Sequence, residues 1–402
     1  MPHRFRETII LSKGHLAVLL LMINSFSWYF FGQLTVARLA GGYDTSLNFL
    51  LGITFPLSIV LSALAGSIFL PKTKRARTLY GWLLFGTAAS LLPAVPVGNS
   101  FVGTLTIIAT LGTSLGVGMP WLLRWFSESL PIENRGKVAG LTFFMIMVSA
   151  PLFIIATSGS ELLPMVLFLA LWRSWSIPTL RAYPADIVPR ERELKTSFRR
   201  VFDNKSFILY FIAWLMFSMV DGFEQFAISQ HQVVFGFTMT TIEPAIAGIS
   251  ALVGGILADR AGRKRIIIFG FASLGIAYAV LGIASQEPIS WLLYFVVDGV
   301  AIGLLWMMFT IVIWGELEPR GIEKYYAVGE APFFMTEILY VLSTSFVASI
   351  PQASAFSLAA FFLFIAVIPL LYAPETLPEK KIQDRQLKIY FEEALRLKQK
   401  AT

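Results

Sequence analysis

The sequence contains no cysteine, and it has only three histidines (His3, His15 and His231). The absence of cysteine excludes a disulfide framework and a thiolate metal site. The histidines do not show the spacing of a metal-binding set, and no H-E-x-x-H motif or Ser–His pair indicates an enzyme. We therefore expect no catalytic residue, no cofactor and no bound metal ion.

Charged residues are also scarce. They make up 14% of the 402 residues, where soluble domains carry roughly a quarter. Hydrophobic residues make up 56%, and the mean hydropathy is +0.70. Since a membrane span needs about 20 mostly apolar residues, the sequence predicts an all-α membrane protein with twelve transmembrane helices. We place them at 15–38, 47–70, 79–97, 101–124, 138–157, 162–181, 206–229, 244–258, 266–285, 290–314, 331–350 and 355–373, and we expect the eighth to begin somewhat earlier.

The basic residues alternate along the chain in a way that predicts topology. Loops assigned to one side are basic, whereas loops near 39–46, 98–101, 158–161, 230–243, 286–289 and 351–354 contain no Lys or Arg. This positive-inside pattern places both termini in the cytoplasm and makes the chain a multi-pass protein of the cytoplasmic membrane. The formal net charge of +7 then reflects topology and not nucleic-acid binding. The first apolar segment is too long for a signal peptide, so we expect it to be the first span.

The two halves of the chain resemble each other. E-x-x-P occurs after the fourth span, from Glu128, and again after the tenth, from Glu316, while Gly66 corresponds to Gly255. We predict two pseudo-symmetric six-helix bundles, 1–181 and 206–377, a cytoplasmic linker, 182–205, and a cytoplasmic tail, 378–402. The linker is either an amphipathic helix on the membrane surface or a flexible connection.

A loop between two long apolar runs, residues 255–265, reads GILADRAGRKR. The pattern G-x-L-A-D-R-x-G-R-K resembles the loop signature of the major facilitator superfamily of membrane transporters. Two further motifs, E-x-x-P-x-x-x-R-G at 128–136 and P-E-T at 374–376, are similar to motifs of its sugar and metabolite porter branch. The glutamine-rich seventh-helix signature of the sugar porters and the Gly-Pro-rich fifth-span motif of the drug antiporters are both absent.

The resemblance implies alternating access, in which charges at the cytoplasmic ends tie helices together in one access state and release them in the other. It also implies a monomer. Gly255 and Gly262 permit close helix approach and a tight turn. On this resemblance the gating and structural residues, which would not contact the solute, are Gly255, Asp259, Arg260, Gly262, Arg263, Glu128, Arg135, Gly136, Glu316 and Glu375. Arg124, four residues before Glu128, is expected to join an ion pair of the gate.

Three acidic residues lie within predicted spans: Asp221 and Glu224 in the seventh and Asp298 in the tenth. A charge at the bilayer centre costs about 2.5–3.5 kcal/mol on insertion scales, so such residues should face a cavity or a partner. Asp221 and Glu224 share a helical face, and Gln225 follows them. We expect Asp221 and Asp298 to approach each other across a central cavity. Carboxylates that share a dry site have at least one raised pKa, which is the property that a proton-coupling group needs. The alternatives are that Asp221 and Asp298 bond backbone groups at glycine-weakened helix breaks or pair with a Ser or Tyr side chain, and that Glu224 lies in water.

The first half offers polar and aromatic candidates instead. Asn24 and Trp28 form one stripe of the first span, where an amide above an aromatic ring suits a polar solute or a cation; helix–helix hydrogen bonding is the alternative for Asn24. Trp306 in the tenth span forms either a stacking wall or part of the packing. Arg173 is expected to snorkel to the membrane interface. Glu330 and Glu337 are candidates for pairing in the gate.

The sequence as a whole predicts a secondary active transporter that moves a small organic solute. Our first expectation is proton-coupled metabolite symport through Asp221, with Asp298 or Glu224 assisting. The chief alternative is proton-coupled export of organic cations or drugs, and a third is a non-transporting membrane sensor with the same fold. The expected partners are a small-molecule substrate, protons and the lipid bilayer, with no nucleic acid.

Overall fold

The computed structural model describes residues 13–70, 75–95, 100–157, 161–182, 197–228, 233–234, 237–336, 338–339, 350–378 and 383. Side chains of residues 223–242 lie outside this description, although the backbone helices there are defined. We refer to residues 13–182 as the amino-terminal half and to residues 197–378 as the carboxyl-terminal half.

The described chain is almost entirely helical. In the amino-terminal half the helices are α1 Lys13–Ala40, α2 Thr45–Phe69, α3 Arg75–Leu91, α4 Phe101–Gly116, α5 Met119–Ser129, α6 Arg135–Thr157 and α7 Leu162–Ser174. In the carboxyl-terminal half they are α8 Phe198–Asp203, α9 Lys205–Ile228, α10 Met239–Ala261, α11 Arg263–Ala284, α12 Pro288–Met307, α13 Ile322–Gly329, α14 331–336 and α15 Gln352–Tyr372. A π-helical turn, Met308–Val312, and a 3-10 turn, Ile313–Gly315, extend α12, and β1 Val233–Val234 pairs antiparallel with β2 Phe237–Thr238.

Ten helical stretches among the described residues are long and apolar enough to cross a membrane. The predicted third span corresponds to α3, which is 17 residues long. The predicted eleventh span, 331–350, lies partly outside the described residues. The eighth begins earlier than its predicted limit, as expected, because α10 starts at Met239. The all-α membrane fold is therefore confirmed, and the helices are consistent with the twelve predicted.

Glycines at corresponding places in the two halves let helices pack closely. Gly112 and Gly116 of α4 lie against α2, and Gly299 and Gly303 of α12 lie against α10. In all four positions an added Cβ would overlap an atom of the neighbouring helix. Lipid tails are as apolar as leucine, so helices in a membrane associate through such close packing. This repetition is the structural counterpart of the sequence duplication.

The two halves meet along α6 and α10. Gly140 of α6 lies on the backbone of Ala251, and a Cβ on Gly136 would come within 2.7 Å of the Gly255 carbonyl oxygen. The close approach predicted for Gly255 is thus directed at the other half. At this end of the helices lie residues 128–137, 259–264, 316–323 and 374–377, and we call it the motif face.

The predicted linker and tail are described only in part. Residues 183–196 of the linker lie outside the described residues, and its described part contains α8, where Val201 is buried and Phe202 is exposed. Of the tail 378–402, only 378 and 383 are described.

Candidate functional site

Asp259 lies at the centre of the motif face and joins the two halves. At the end of α10, its carboxylate accepts hydrogen bonds from the backbone N–H groups of Gly136 at 3.0 Å and of Lys137 at 2.8 Å. These N–H groups belong to the first turn of α6 and have no acceptor within that helix. A carboxylate at a helix N-terminus also interacts favourably with the helix dipole. One half therefore supplies the cap for a helix of the other.

Arg263 extends this contact through a buried ion-pair network. Its Nη1 donates to Asp259 at 2.6 Å, and its Nη2 donates to Glu316 at 3.2 Å. The same Nη2 donates to the carbonyl oxygen of Ile132 at 2.7 Å, in the amino-terminal half. Because the Arg263 side chain is fully buried, each contact satisfies a group that water cannot reach.

Glu375 fixes the start of α11 within the carboxyl-terminal half. Its carboxylate accepts from the backbone N–H groups of Arg263 at 2.8 Å and Lys264 at 3.1 Å. Gly262 precedes these residues with a φ of 101°, and a Cβ there would clash with the Glu375 carboxylate. Thr376 donates to Glu316 at 2.6 Å. The P-E-T segment therefore holds the loop that presents Asp259 and Arg263.

Arg124 forms a second contact between the halves. From α5 it donates to Glu128 at 2.8 Å, as predicted, and to Glu323 of α13 at 2.7 Å. One turn further along each helix, the hydroxyl groups of Ser127 and Tyr326 lie 2.7 Å apart. Glu323 and Tyr326 were not identified from the sequence.

Of two other predicted gating residues, Arg135 bonds the other half of the chain and Arg260 does not. Arg135 crosses between the halves, donating to the carbonyl oxygens of Gly315 at 3.3 Å, Leu130 at 3.2 Å and Ser127. Arg260 is exposed, and it makes no hydrogen bond or ion pair within the described part of the chain. The structure therefore assigns Arg260 no contact in the network.

Aromatic rings fill the interface between the halves deeper in the membrane. Trp306 of α12 stacks on Phe30 of α1 with ring centroids 6.2 Å apart and meets Phe333 of α14 edge-on at 5.0 Å. Tyr29 contacts Phe333 at 5.4 Å, and its hydroxyl accepts from Gln33 at 2.8 Å. We call Tyr29, Phe30, Gln33, Trp306 and Phe333 the aromatic cluster. Phe30, Gln33 and Trp306 are only partly buried, so this cluster retains accessible surface.

Asn24 and Trp28 face away from that interface. Asn24 donates to the carbonyl oxygen of Trp172, and Trp28 donates to Ser90 at 2.9 Å, so both bond other helices of the amino-terminal half. Both are completely buried. The structure therefore agrees with the alternative of helix–helix hydrogen bonding for Asn24, and it does not place Asn24 where a solute could contact it.

Arg173 contradicts its prediction. Instead of snorkelling to the interface it is fully buried. Its guanidinium lies 4.3 Å from the centre of the Trp82 ring and 5.6 Å from that of Trp28, and Nη1 donates to Ser25 at 2.9 Å. Gly86 makes room for it, because a Cβ there would lie 2.7 Å from Nε. The prediction was wrong because two tryptophan faces provide a site for the cation inside the bundle.

Asp221 and Asp298 are both buried, in the carboxyl-terminal half. Asp298 lies on the α12 stripe that includes Tyr294 and Leu305, which contact Tyr278 and Gly270 of α11. Trp306, which faces the interface, lies eight positions further along α12. At about 100° per residue, Asp298 therefore points about 80° away from Trp306 around the helix axis.

Asp221 similarly follows Trp214 and Phe217 on one stripe of α9, and those rings pack on Phe309 and Phe271. Both carboxylates therefore point into the carboxyl-terminal bundle, whereas we expected them to line a cavity between the halves. The side chains of Glu224 and Gln225 lie outside the described residues.

Comparison with known proteins agrees with this architecture. Residues 205–397 match the family model of the Major Facilitator Superfamily, and 89% of the chain aligns with the fold of a solved member of that family. The carboxyl-terminal half of the chain therefore matches this family in sequence, and the chain is similar in fold to solved members of the family. Together with the ten apolar helical stretches among the described residues, this likeness indicates a multi-span membrane protein.

Two solved structures of the superfamily illustrate the similarity. The proton:xylose symporter XylE bound to 6-bromo-6-deoxy-D-glucose has 15% sequence identity and a TM-score of 0.63, with 89% of this chain and 96% of that chain covered. A double tryptophan mutant of XylE has 14% identity and a TM-score of 0.65, with 92% and 98% covered. At these identities the likeness concerns the fold. No curated protein matches the sequence.

The superfamily motifs located part of the network at the motif face but missed its partners on α13. Glu323 is completely buried against Arg124, and Tyr326 bonds the π-helical turn through Ile311 at 2.6 Å. A usable signal was present, because Glu323, Tyr326 and Glu330 recur at helical spacing in a segment that must enter the membrane. We interpreted Glu330 only as a gate candidate.

Proposed function

We propose that this protein is a secondary active transporter that moves a small organic solute by alternating access, coupled to protons, and that it works as a metabolite symporter. The observation that carries the proposal is the bond between Asp259 of one half and the first turn of α6 in the other. This contact exists only while the halves are together at the motif face. Its loss would open that face, and its formation would close it.

The same reasoning gives roles to the other contacts between the halves. The Arg263–Ile132, Arg124–Glu323 and Ser127–Tyr326 contacts all cross from one half to the other. Breaking them together exposes complementary charges to water, which compensates part of the lost interaction. The motif face can therefore open without leaving buried charges unpaired, which favours two defined access states.

We place the solute at the aromatic cluster. Trp306 and Phe30 supply flat apolar faces, while Gln33 and Tyr29 supply a polar amide and a hydroxyl group. Such a combination suits a polar metabolite with one apolar face, such as a sugar. A solved structure with the same fold is that of a proton:xylose symporter, which supports this class of solute.

Proton coupling is proposed to involve Asp221 and Asp298. Both carboxylates are buried at membrane depth, where an ionised form is costly and proton uptake is favoured. Their position inside the carboxyl-terminal bundle implies that protons reach them separately from the solute. We propose that both termini lie on the cytoplasmic side, together with the motif face.

Export of organic cations is the second candidate. The partly buried rings of Trp306 and Phe30 favour it, because aromatic faces attract cations. The two candidates differ in the direction of proton movement. A symporter takes up protons with its solute, whereas an exporter exchanges them for its substrate.

Proton flux in proteoliposomes with an internal pH dye tests the proposal. A panel of sugars, organic acids, amino acids and lipophilic cations is added to the wild type, to Asp221→Asn and to the exposed control Glu287→Gln. Internal acidification with one sugar or acid, absent in Asp221→Asn and present in Glu287→Gln, is the expected result. Proton efflux driven by a lipophilic cation would favour the exporter. Silence across the panel together with no radiolabelled counterflow would contradict transport and favour a sensor.

A further inference from the structure

We propose that Glu330 is a proton-binding site whose protonation closes the motif face. The inference rests on the proposed function and adds to it the carboxylate that links protons to access state. Glu330 lies between α13 and α14, and backbone hydrogen bonds from its N–H to Tyr326 at 2.9 Å and from Phe334 to its carbonyl at 3.3 Å continue the helix through it.

The helix face that carries Glu330 points at the amino-terminal half. On this face Glu323 pairs with Arg124 and Tyr326 bonds Ser127. One turn beyond Glu330, Phe334 meets Tyr29 edge-on with ring centroids 5.1 Å apart. Glu330 is therefore about 10 Å along the helix from the Arg124–Glu323 pair, between the polar contacts of the motif face and the aromatic rings.

The Glu330 carboxylate is buried without a hydrogen-bonding partner. Its residue is 3% exposed, and neither carboxylate oxygen has a partner among the described residues. Burying an isolated ionised carboxylate is costly enough that such a group takes up a proton instead. In the closed arrangement Glu330 is therefore in its neutral, protonated form.

The surrounding charges do not offer an alternative way to neutralise it. Arg124 already bonds Glu128 and Glu323. Helix α2 and the turns Met308–Gly315, which also pack on α13, contain no charged residue. The other titratable or charged groups on neighbouring elements are Lys13, His15, Tyr29 and Arg38 of α1, Arg199, Arg200 and Asp203 of α8, and Glu323, Lys324, Tyr325 and Tyr326 of α13 itself.

Opening the motif face reverses this situation. Separation of α1, α2 and α5 from α13 exposes the surface that carries Glu330 to water, where the carboxylate ionises and releases its proton to that side. By linkage, a proton that stabilises the closed state is bound more tightly in it. Rising pH should therefore favour the open motif face, and falling pH the closed one.

Distances between spin labels test this inference without knowledge of the solute. The chain has no cysteine, so Arg181→Cys and Arg320→Cys place one label on each half. Both positions are exposed: Arg320 lies in the motif face, and Arg181 lies in the turn that follows α7. In wild type the distance distribution should shift from short to long as pH rises. Glu330→Gln, which mimics the protonated form, should remain in the short population at every pH, while Glu287→Gln should follow wild type.

The outcomes separate the inference from the proposed function. A Glu330→Gln variant that titrates like wild type would overturn the role of Glu330 and leave proton coupling through Asp221 standing. A wild type without any pH response would contradict proton coupling itself and the role of Glu330 with it. If Glu330→Gln cannot be purified, Glu330→Asp takes its place. A shift in the pH at the midpoint of the change in label distance supports the inference, and an unchanged midpoint overturns it.

Discussion

The Asp259 carboxylate accepts a hydrogen bond of 3.0 Å from the backbone N–H of Gly136, so the end of α10 in one half caps the beginning of α6 in the other. The contact needs no side chain at Gly136, and a Cβ there would lie 2.8 Å from Asp259. Gly136 and Asp259 are thus complementary parts of one contact between the two halves. Its geometry depends on the relative position of the two halves.

Replacing Asp259 with Asn should shift the protein towards the open motif face. The variant loses the charge that pairs with Arg263, and breaking a buried ion pair by removing one partner costs about 3–5 kcal/mol. We expect slower switching, measured as a reduced rate of solute counterflow, together with longer distances between labels at 181 and 320. Substrate preference should not change.

The exposed Arg265 provides the control, since Arg265→Gln removes a charge from the neighbouring turn without affecting the network. A changed substrate preference in Asp259→Asn would show that this residue belongs to the solute site and not to the gate.

Replacing Gly140 with Val should separate the halves by steric overlap. Gly140 lies directly on the backbone of Ala251, and overpacking of this kind typically costs about 1–3 kcal/mol. The matched control is Gly52→Val in α2, where an added Cβ meets no atom within 4 Å. Label distances at the motif face should lengthen in the first variant only. Equal distances in both variants would contradict a packing role for Gly140.

Much of the fold could be predicted because its signals are local. Apolar runs identify spans by length, and the duplicated E-x-x-P and glycine positions indicate two similar halves. The loop around Asp259 could be assigned to a joint because its charges and glycines form one contiguous motif. Its partners Glu316 and Glu375 were found because each lies in a short motif of its own, E-x-x-P and P-E-T.

The directions of buried side chains could not be predicted in the same way. Asn24 and Asp298 lie in helices that are apolar on every face, so the sequence does not show which face meets the interface. Arg173 was misassigned because its two tryptophan partners, Trp28 and Trp82, are distant in sequence. Glu323 was missed because its partner Arg124 belongs to the other half.

Arg173 should stabilise the amino-terminal bundle through its planar guanidinium. Arg173→Gln loses contacts with two tryptophan faces, worth about 2 kcal/mol when desolvated. We expect a lower thermal unfolding temperature in detergent, with Arg173→Lys recovering little because an ammonium lacks the flat face. The control is Arg181, an exposed arginine that follows α7, the helix that carries Arg173. Arg181→Gln should leave the unfolding temperature unchanged. Full recovery by lysine would indicate that charge alone matters.

Trp306 should contribute directly to solute affinity if the aromatic cluster is the binding site. Trp306→Ala removes a stacking face worth about 0.5–1.5 kcal/mol, so the concentration for half-maximal transport should rise up to about tenfold. Trp306→Phe should retain most of the affinity. Trp175, which is 38% exposed, provides a control through Trp175→Ala. Unchanged affinity in Trp306→Ala would place the solute elsewhere.

Asp221→Asn should separate proton movement from solute exchange. The amide cannot release a proton at Asp221, so net uptake driven by a pH gradient should fall to background. Exchange of labelled for unlabelled solute needs no net proton transfer and should persist, because Asp221 points into the carboxyl-terminal bundle, away from the aromatic cluster. Both assays are run in the same proteoliposomes, with Asp298→Asn measured in parallel. Loss of exchange as well as uptake would indicate a structural role, and full pH-driven uptake would remove Asp221 from the coupling mechanism.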